Sequence, residues 1–204
     1  MTVLVFALLA YLLGSVSFAV ISSWFFKLPD PRTYGSKNPG ATNVLRSGKK
    51  SAAVLTLLGD AGKGWLAVTL AKTYATSWEL GDEAVAVVAL AVFLGHVFPV
   101  FLRFQGGKGV ATAVGVLLGL HLWIGLMAIA TWMLAALIWR ISSLSALIAA
   151  ALAPVFTATM LGFGNSTFAV LLMTLLLIWR HQSNIVNLLA GKESRIGEKK
   201  SPGP

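Results

Sequence analysis

Apolar residues run along this chain in long blocks separated by short polar islands, and the block lengths set the architecture. A helix that spans a bilayer needs about 20 mostly apolar residues, a template met by Thr2–Phe26, Ser51–Tyr74 and Ala84–Leu102. The first block lacks a basic leading segment and is too long for the apolar core of a cleavable signal peptide, so it reads as a span. Val110–Trp139 holds 30 residues. As one straight helix it would extend about 45 Å, well past a hydrocarbon core of about 30 Å. Two further blocks, Ser143–Leu161 and Thr167–Trp179, flank the turn-like Gly162–Phe163–Gly164–Asn165–Ser166.

Composition agrees with the pattern. At roughly 100–200 residues per soluble domain, a chain of 204 residues has room for one or two domains, but 57% of it is hydrophobic and 11% charged. Soluble domains carry about 25% charged residues, and the mean hydropathy here is +0.81, so the chain belongs in a bilayer. Lys and Arg total 16 against 7 Asp and Glu, a net charge of +9. Such an excess signals either nucleic acid or an anionic membrane surface with acidic substrates; the apolar blocks favour the second, and no nucleic-acid partner is expected. The absence of cysteine excludes disulfides, thiolate metal sites, cysteine nucleophiles and S-palmitoylation.

Charge placement then decides the topology. Lys27, Arg32, Lys37, Arg46, Lys49 and Lys50 face the single acid Asp30 between the first two spans, which puts that loop in the cytoplasm and the N-terminus outside. Glu79, Asp82 and Glu83 fall outside, and Arg103 and Lys108 inside. One crossing by Val110–Trp139 would leave Arg140 and the tail bases Lys192, Arg195, Lys199 and Lys200 on opposite faces. A break near Gly119–His121 restores parity, with fourteen of the sixteen basic residues on one side. The expectation is an all-α integral membrane protein of about seven transmembrane helices, some short, with the N-terminus outside and the C-terminus cytoplasmic. Residues 1–204 form one polytopic domain, with cytoplasmic loops at about 27–50, 103–109 and 140–142 and a basic tail over 180–204. No internal repeat of the kind seen in inverted-repeat transporters is present.

The polar islands gather on the inferred cytoplasmic face. In the first, Tyr34–Arg46, Gly35 and Gly40 permit backbone N–H groups to converge on an anion. Ser36, Asn38, Thr42 and Asn43 offer neutral donors there, and Lys37 and Arg46 offer charge; the alternative is an ordinary solvated basic loop. In the second, Gly106, Gly107, Lys108 and Gly109 form a turn directly before a helix, where free N–H groups and the helix dipole favour phosphate. It is not a nucleotide P-loop, since Leu102 stands where the first glycine belongs and Gly109 where Ser or Thr should follow Lys108. Nearby His96 is either a core histidine bonded to a backbone carbonyl or a catalytic group. The third island holds Arg180, His181, Asn184 and Glu193. On a continuing helix Arg180 and Asn184 share one face, although Arg180 alone reads as a snorkelling flank. Ser142 and Ser143 are helix caps or further donors. Deeper in the second span, Asp60 and Lys63 are spaced to pair, as a structural ion pair or a functional one. Gly14, Ser15 and Ser17 suit close helix packing.

No cluster of His, Asp or Glu suits a metal, no Gly-x-Ser-x-Gly elbow is present, and no histidine has an acid five residues on, as His-x4-Asp acyltransferases require. The available chemistry is glycine amides, neutral polar groups and cations, which bind phosphate and stabilise a developing oxyanion.

Gly35-Ser-Lys-Asn-Pro-Gly-Ala-Thr-Asn43, Gly95-His-x-Phe-Pro-Val-Phe with Gly-Gly-Lys-Gly-Val-Ala-Thr112, and Arg180-His-x-x-Asn-Ile185 with Gly191-x-Glu193 resemble the three motifs of the bacterial acyl-phosphate:glycerol-3-phosphate acyltransferases, the PlsY family. Asp60-x-x-Lys63-Gly64 and Ser142-Ser143 also resemble family positions, while Gln182 and Asn187 stand where many members carry bases. The resemblance implies acyl transfer from acyl phosphate to the 1-hydroxyl of sn-glycerol 3-phosphate, at the bacterial cytoplasmic (inner) membrane and without a cofactor. It implies catalytic roles for Ser36, Arg46, Lys108, His181 and Asn184. Substrate binding falls to Gly35, Asn38, Gly40, Thr42, Asn43, His96, Gly106, Gly107, Gly109, Ser142, Ser143 and Glu193. A labile, poorly soluble donor points to a soluble acyl-phosphate-producing enzyme as a partner. The competing classes are a permease for an organic phosphate, whose mid-membrane candidates are Asp60 and Lys63, and a membrane phosphatase, for which no nucleophile is visible.

Overall fold

The computed structural model describes residues 2–77 and 81–197; Glu79, Lys199 and Lys200, which entered the charge argument, lie outside them. The described residues form helices and short connections, with no strand. In chain order the helices are α1 (Thr2–Ser15), α2 (Phe18–Phe25), α3 (Ala41–Leu45), α4 (Lys50–Ser77) and α5 (Asp82–Val97). A 3-10 turn (Val100–Leu102) follows, then α6 (Val110–Leu120), α7 (Leu122–Trp139), α8 (Ser142–Leu161), α9 (Asn165–Arg180) and α10 (Gln182–Leu189).

Five segments are long and apolar enough to cross a membrane: Thr2–Phe25, Lys50–Tyr74, Asp82–Leu102, Leu122–Trp139 and Ser142–Leu161. α9 reaches spanning length only when taken with α10, from which it is bent by 59°, and α6 is a shorter apolar helix. This is a helical membrane-spanning bundle. Its outward faces carry exposed Leu8, Leu58, Leu137 and Phe168, while Val92, Phe93, Val116, Ile124 and Val170 are buried in the interior, the distribution expected where the surrounding solvent is lipid.

The long block after Lys108 breaks at His121, between α6 and α7, within the interval that charge parity selects. Lys72 donates to the carbonyls of Leu120 at 2.9 Å and Gly119 at 3.4 Å, so a cation satisfies acceptors that the end of α6 leaves without helical partners. The first block differs from a single continuous helix: α1 ends at Ser15 and α2 starts at Phe18. The carbonyl of Val16 in that gap accepts from Lys63 Nζ at 2.7 Å, a bond that a continuous helix would not need.

Small residues bring the helices together. A Cβ on Gly14 would lie 2.1 Å from the carbonyl oxygen of Val92, and one on Gly95 would lie 2.2 Å from that of Tyr11, so α1 and α5 meet backbone to backbone. α4 and α6 repeat the device through Gly64 against Thr112 and Gly115 against Ala61. Gly115→Ala is expected to destabilise the fold by about 1–3 kcal/mol, because backbone cannot give way as a flexible side chain does. Gly62→Ala, with nothing within 4 Å of the new carbon, should leave stability unchanged or slightly raised. Thermal unfolding of the two variants in lipid checks the contrast.

Candidate active site

The first loop is organised around Asn43, which is 2% exposed. Its Nδ2 donates to the carbonyls of Pro31 at 2.7 Å and Tyr34 at 3.2 Å, and its Oδ1 accepts from the Ser36 amide at 2.9 Å. Both amide hydrogens are thereby spent inside the loop, so Asn43 shapes the site and is not the ligand-facing donor expected of it. Gly35 has φ +59°, and a Cβ there would stand 2.2 Å from Asn43 Oδ1; only glycine fits. Asn38 sits beside Gly40 at the start of α3, with its Nδ2 2.9 Å from the position of a Gly40 Cβ. Ser36, Thr42 and Arg46 are exposed.

The second island folds back against the end of α5. The Gly107 amide donates to the His96 carbonyl at 3.1 Å, Gly106 and Gly107 are buried, and Lys108 is half-buried. Gly109, at φ +89°, precedes α6 with its open face against the Phe93 ring. Pro39 O lies 3.1 Å from the position of a Gly107 Cβ, so the first loop touches this turn. His96 sits behind the turn and not among the exposed donors. It is 6% exposed, and its Nδ1 is 3.5 Å from Asp60 Oδ1, a buried histidine whose ring faces a carboxylate and not a backbone carbonyl.

The third island corrects a second expectation. The helix does not continue through Arg180 and Asn184: the chain bends at His181, where α9 gives way to α10. Arg180 and Asn184 still reach one turn from two directions. Arg180 Nη2 donates to the Gly106 carbonyl at 3.0 Å, more than a snorkelling flank would do, and Lys108 Nζ donates to Asn184 Oδ1. Asn184 Nδ2 in turn donates to Glu193 Oε1 at 2.6 Å, and Ser143 Oγ donates to the same oxygen at 2.8 Å. Neither Ser142 nor Ser143 caps α8, whose N-cap is Ile141, and Ser142 Oγ lies 3.3 Å from Thr42 Oγ1. His181 Nδ1 lies 2.8 Å from the Leu177 carbonyl, and the ring is buried.

The tail was the least legible part. Arg46 Nη2 donates to Ser194 Oγ at 3.1 Å, and the Ile196 amide donates to the Arg140 carbonyl at 2.6 Å. Ser194 is thus a site neighbour that the motif spacing did not mark, its partner lying 148 positions away. Among the described residues no three His, Asp or Glu side chains converge as a metal site would require.

The charge state of Lys108 is the main electrostatic variable. Burial lowers its pKa from the usual lysine value, Glu193 opposes that shift, and Arg180 and Arg46 add to it. The ammonium is present below the folded-state pKa and lost above it. The alkaline limb of kcat/KM should therefore fall below the ordinary lysine value of about 10.4. Lys108→Arg should move that limb upward, as a pH–rate profile of the two proteins would record.

Fold and site together define a multi-pass α-helical membrane protein with a cationic, glycine-built site for anionic substrates at one end of the bundle. The family model for glycerol-3-phosphate acyltransferase matches residues 4–191. Similar curated sequences include the glycerol-3-phosphate acyltransferases of Nitrosospira multiformis, 65% identical over 98% of each chain, and of Ralstonia pickettii, 61% identical over 96% of this chain and 95% of that one. The fold matches the crystal structure of PlsY, an integral membrane glycerol 3-phosphate acyltransferase, in its glycerol 3-phosphate form. The TM-score is 0.89, with 36% identity over 97% of this chain and 96% of that one. The lysophosphatidic acid form of PlsY matches at TM-score 0.87 and 35% identity. The chain belongs to the glycerol-3-phosphate acyltransferase family, and it is an acyltransferase of the PlsY type.

Proposed function

We propose that this site moves an acyl group from acyl phosphate to the 1-hydroxyl of sn-glycerol 3-phosphate, giving lysophosphatidic acid and phosphate. The observation that carries the reading is the meeting of Lys108, Asn184, Glu193 and Ser143 in one hydrogen-bonded group beside the Gly106–Gly107 turn. Both substrates bear phosphate, and the matched PlsY structures are its glycerol 3-phosphate form and its lysophosphatidic acid form.

Transfer is direct. The donor is a mixed anhydride and already activated, so positioning and charge stabilisation suffice. The acceptor hydroxyl oxygen bonds to the carbonyl carbon, the carbon–oxygen bond to phosphate breaks, and phosphate leaves with the electron pair. A phosphate oxygen takes the hydroxyl proton, so that no side chain has to serve as the base. The amides of Gly106 and Gly109 cradle the donor phosphate, with Gly107 tied to the His96 carbonyl between them and Gly35 and Gly40 shaping the adjoining loop. Lys108, Arg46, Ser36, Ser143, His181 and Asn184 hold glycerol 3-phosphate and polarise the reacting groups. Asn38, Thr42 and Ser142 line its approach, and Glu193 orders Asn184 and Ser143. Quenched-flow mixing should show no covalent acyl-enzyme; a trapped one would overturn direct transfer.

With α6 counted as a crossing the chain passes the bilayer seven times, its N-terminus outside and its site on the cytoplasmic face of a bacterial inner membrane, the side that the positive-inside rule favours for its bases. A reporter after Pro204 active only outside the cell would contradict this. That face also suits docking by a soluble enzyme that makes acyl phosphate. A permease would need its mid-membrane charges open to a passage, but Asp60 and Lys63 are 1% and 3% exposed. Purified protein in lipid, given acyl phosphate and glycerol 3-phosphate, should form lysophosphatidic acid, and it should form none with acyl-CoA or acyl carrier protein as donor.

A further inference from the structure

Asp60, Lys63 and His96 form a buried polar cluster that the reaction above does not use. Lys63 Nζ lies 2.8 Å from Asp60 Oδ1 and donates to the Val16 carbonyl at 2.7 Å, between α1 and α2. Asp60 Oδ1 also accepts from the Phe18 amide at 3.4 Å and faces His96 Nδ1 at 3.5 Å. The other edge of the imidazole meets the glycine turn: a Cβ on Gly107 would stand 2.2 Å from His96 Nε2, and one on Gly106 would stand 2.2 Å from the His96 carbonyl oxygen. From the far side, Thr112 Oγ1 in the first turn of α6 donates to the Asp60 carbonyl at 2.9 Å. The cluster therefore touches the segment bearing Lys108 at both ends, before it through His96 and after it through Thr112.

A buried ion pair is a poor device for stability alone, since well-packed apolar residues of similar size do as well or better. What such a pair supplies is one geometry. A carboxylate on one ring nitrogen fixes which edge of a histidine faces its neighbour, as in carboxylate–histidine pairs behind metal sites. We propose that Asp60 and His96, with Lys63 as the counter-charge, are positioning residues that hold the Gly106–Gly107 turn so that Lys108 stands over the substrate phosphate. This rests on the functional reading above. The cluster does not touch substrate; it acts through the turn.

Two variants in lipid test it. Asp60→Asn with Lys63→Met removes both charges at nearly constant volume. His96→Asn keeps an amide donor on the Asp60 side but withdraws the ring edge from Gly107. In both, kcat should fall at least about tenfold while KM for glycerol 3-phosphate stays within about threefold and the thermal midpoint holds. Amide hydrogen exchange at 106–109 should rise about tenfold or more while α8 and α9 keep their protection. Wild-type turnover with unchanged exchange at the turn overturns the proposal. So does a fall in midpoint with exchange rising throughout both variants, which would make the cluster purely structural. The exchange measurement needs no turnover, so a wild-type protein that formed no lysophosphatidic acid would defeat the functional reading and leave this one standing on its own data.

Discussion

Lys108→Ala should lose about a hundredfold to a thousandfold in kcat, the range seen when one preorganised oxyanion donor is removed, while the protein still inserts and unfolds at the wild-type temperature. The argument begins with place. Lys108 sits on a turn outside the buried core, half-buried, so its stem contributes little to packing. Its ammonium donates to Asn184, which donates to Glu193. Removing it takes a cation from the phosphate site and leaves the Glu193 carboxylate facing an arriving dianion with less compensation, so charge attraction and charge repulsion both move against catalysis. Lys108→Arg keeps the charge but replaces a compact ammonium with a planar fork on a longer stem; it should recover part of the loss and none of the fine positioning. Steady-state rates of lysophosphatidic acid formation, with thermal melts on the same samples, decide it. Near-normal turnover in Lys108→Ala would remove this lysine from the site.

The spans were legible because the bilayer imposes a length, and apolar blocks of about 20 residues announce themselves. The break at His121 was legible for another reason: only an extra reversal puts Arg140 and the tail on the same side as the first loop. By contrast, the gap at Val16–Ser17 carries only a weak local signal, Ser17 as the N-cap of α2 without a side-chain cap bond; its freed carbonyl is satisfied by Lys63, 47 positions away. The bend at His181 was missed in the same way. Helical spacing assigned Arg180 and Asn184 to one face, whereas the site is built from the two sides of a corner. For Asn43, residue type suggested a donor to ligand, but loop closure absorbed both its hydrogens. Motifs thus marked which residues gather, and long-range hydrogen bonds decided how they are arranged.

Gly106→Ala is expected to cost about a hundredfold or more in turnover, the penalty of displacing a catalytic group by about 1 Å, although the substitution adds only one methyl group. A Cβ at Gly106 would lie 2.2 Å from the His96 carbonyl oxygen, 2.5 Å from that of Val97 and 2.4 Å from Pro99 Cδ. Two of these neighbours are backbone and the third is a proline ring, so none can swing aside, and the turn itself has to move. The same residue's carbonyl accepts from Arg180, so displacement also strips a charge-assisted bond from the third island. Gly48→Ala separates this effect from backbone strain. Gly48 has φ +85° with nothing within 4 Å of a new Cβ, and alanine there should cost about 1 kcal/mol of stability and leave kcat unchanged. Rates and melts for the pair distinguish steric displacement at the site from strain. If Gly106→Ala turned over at the wild-type rate, the turn would be loose enough to absorb a methyl, and the rigid cradle inferred for the donor phosphate would be wrong.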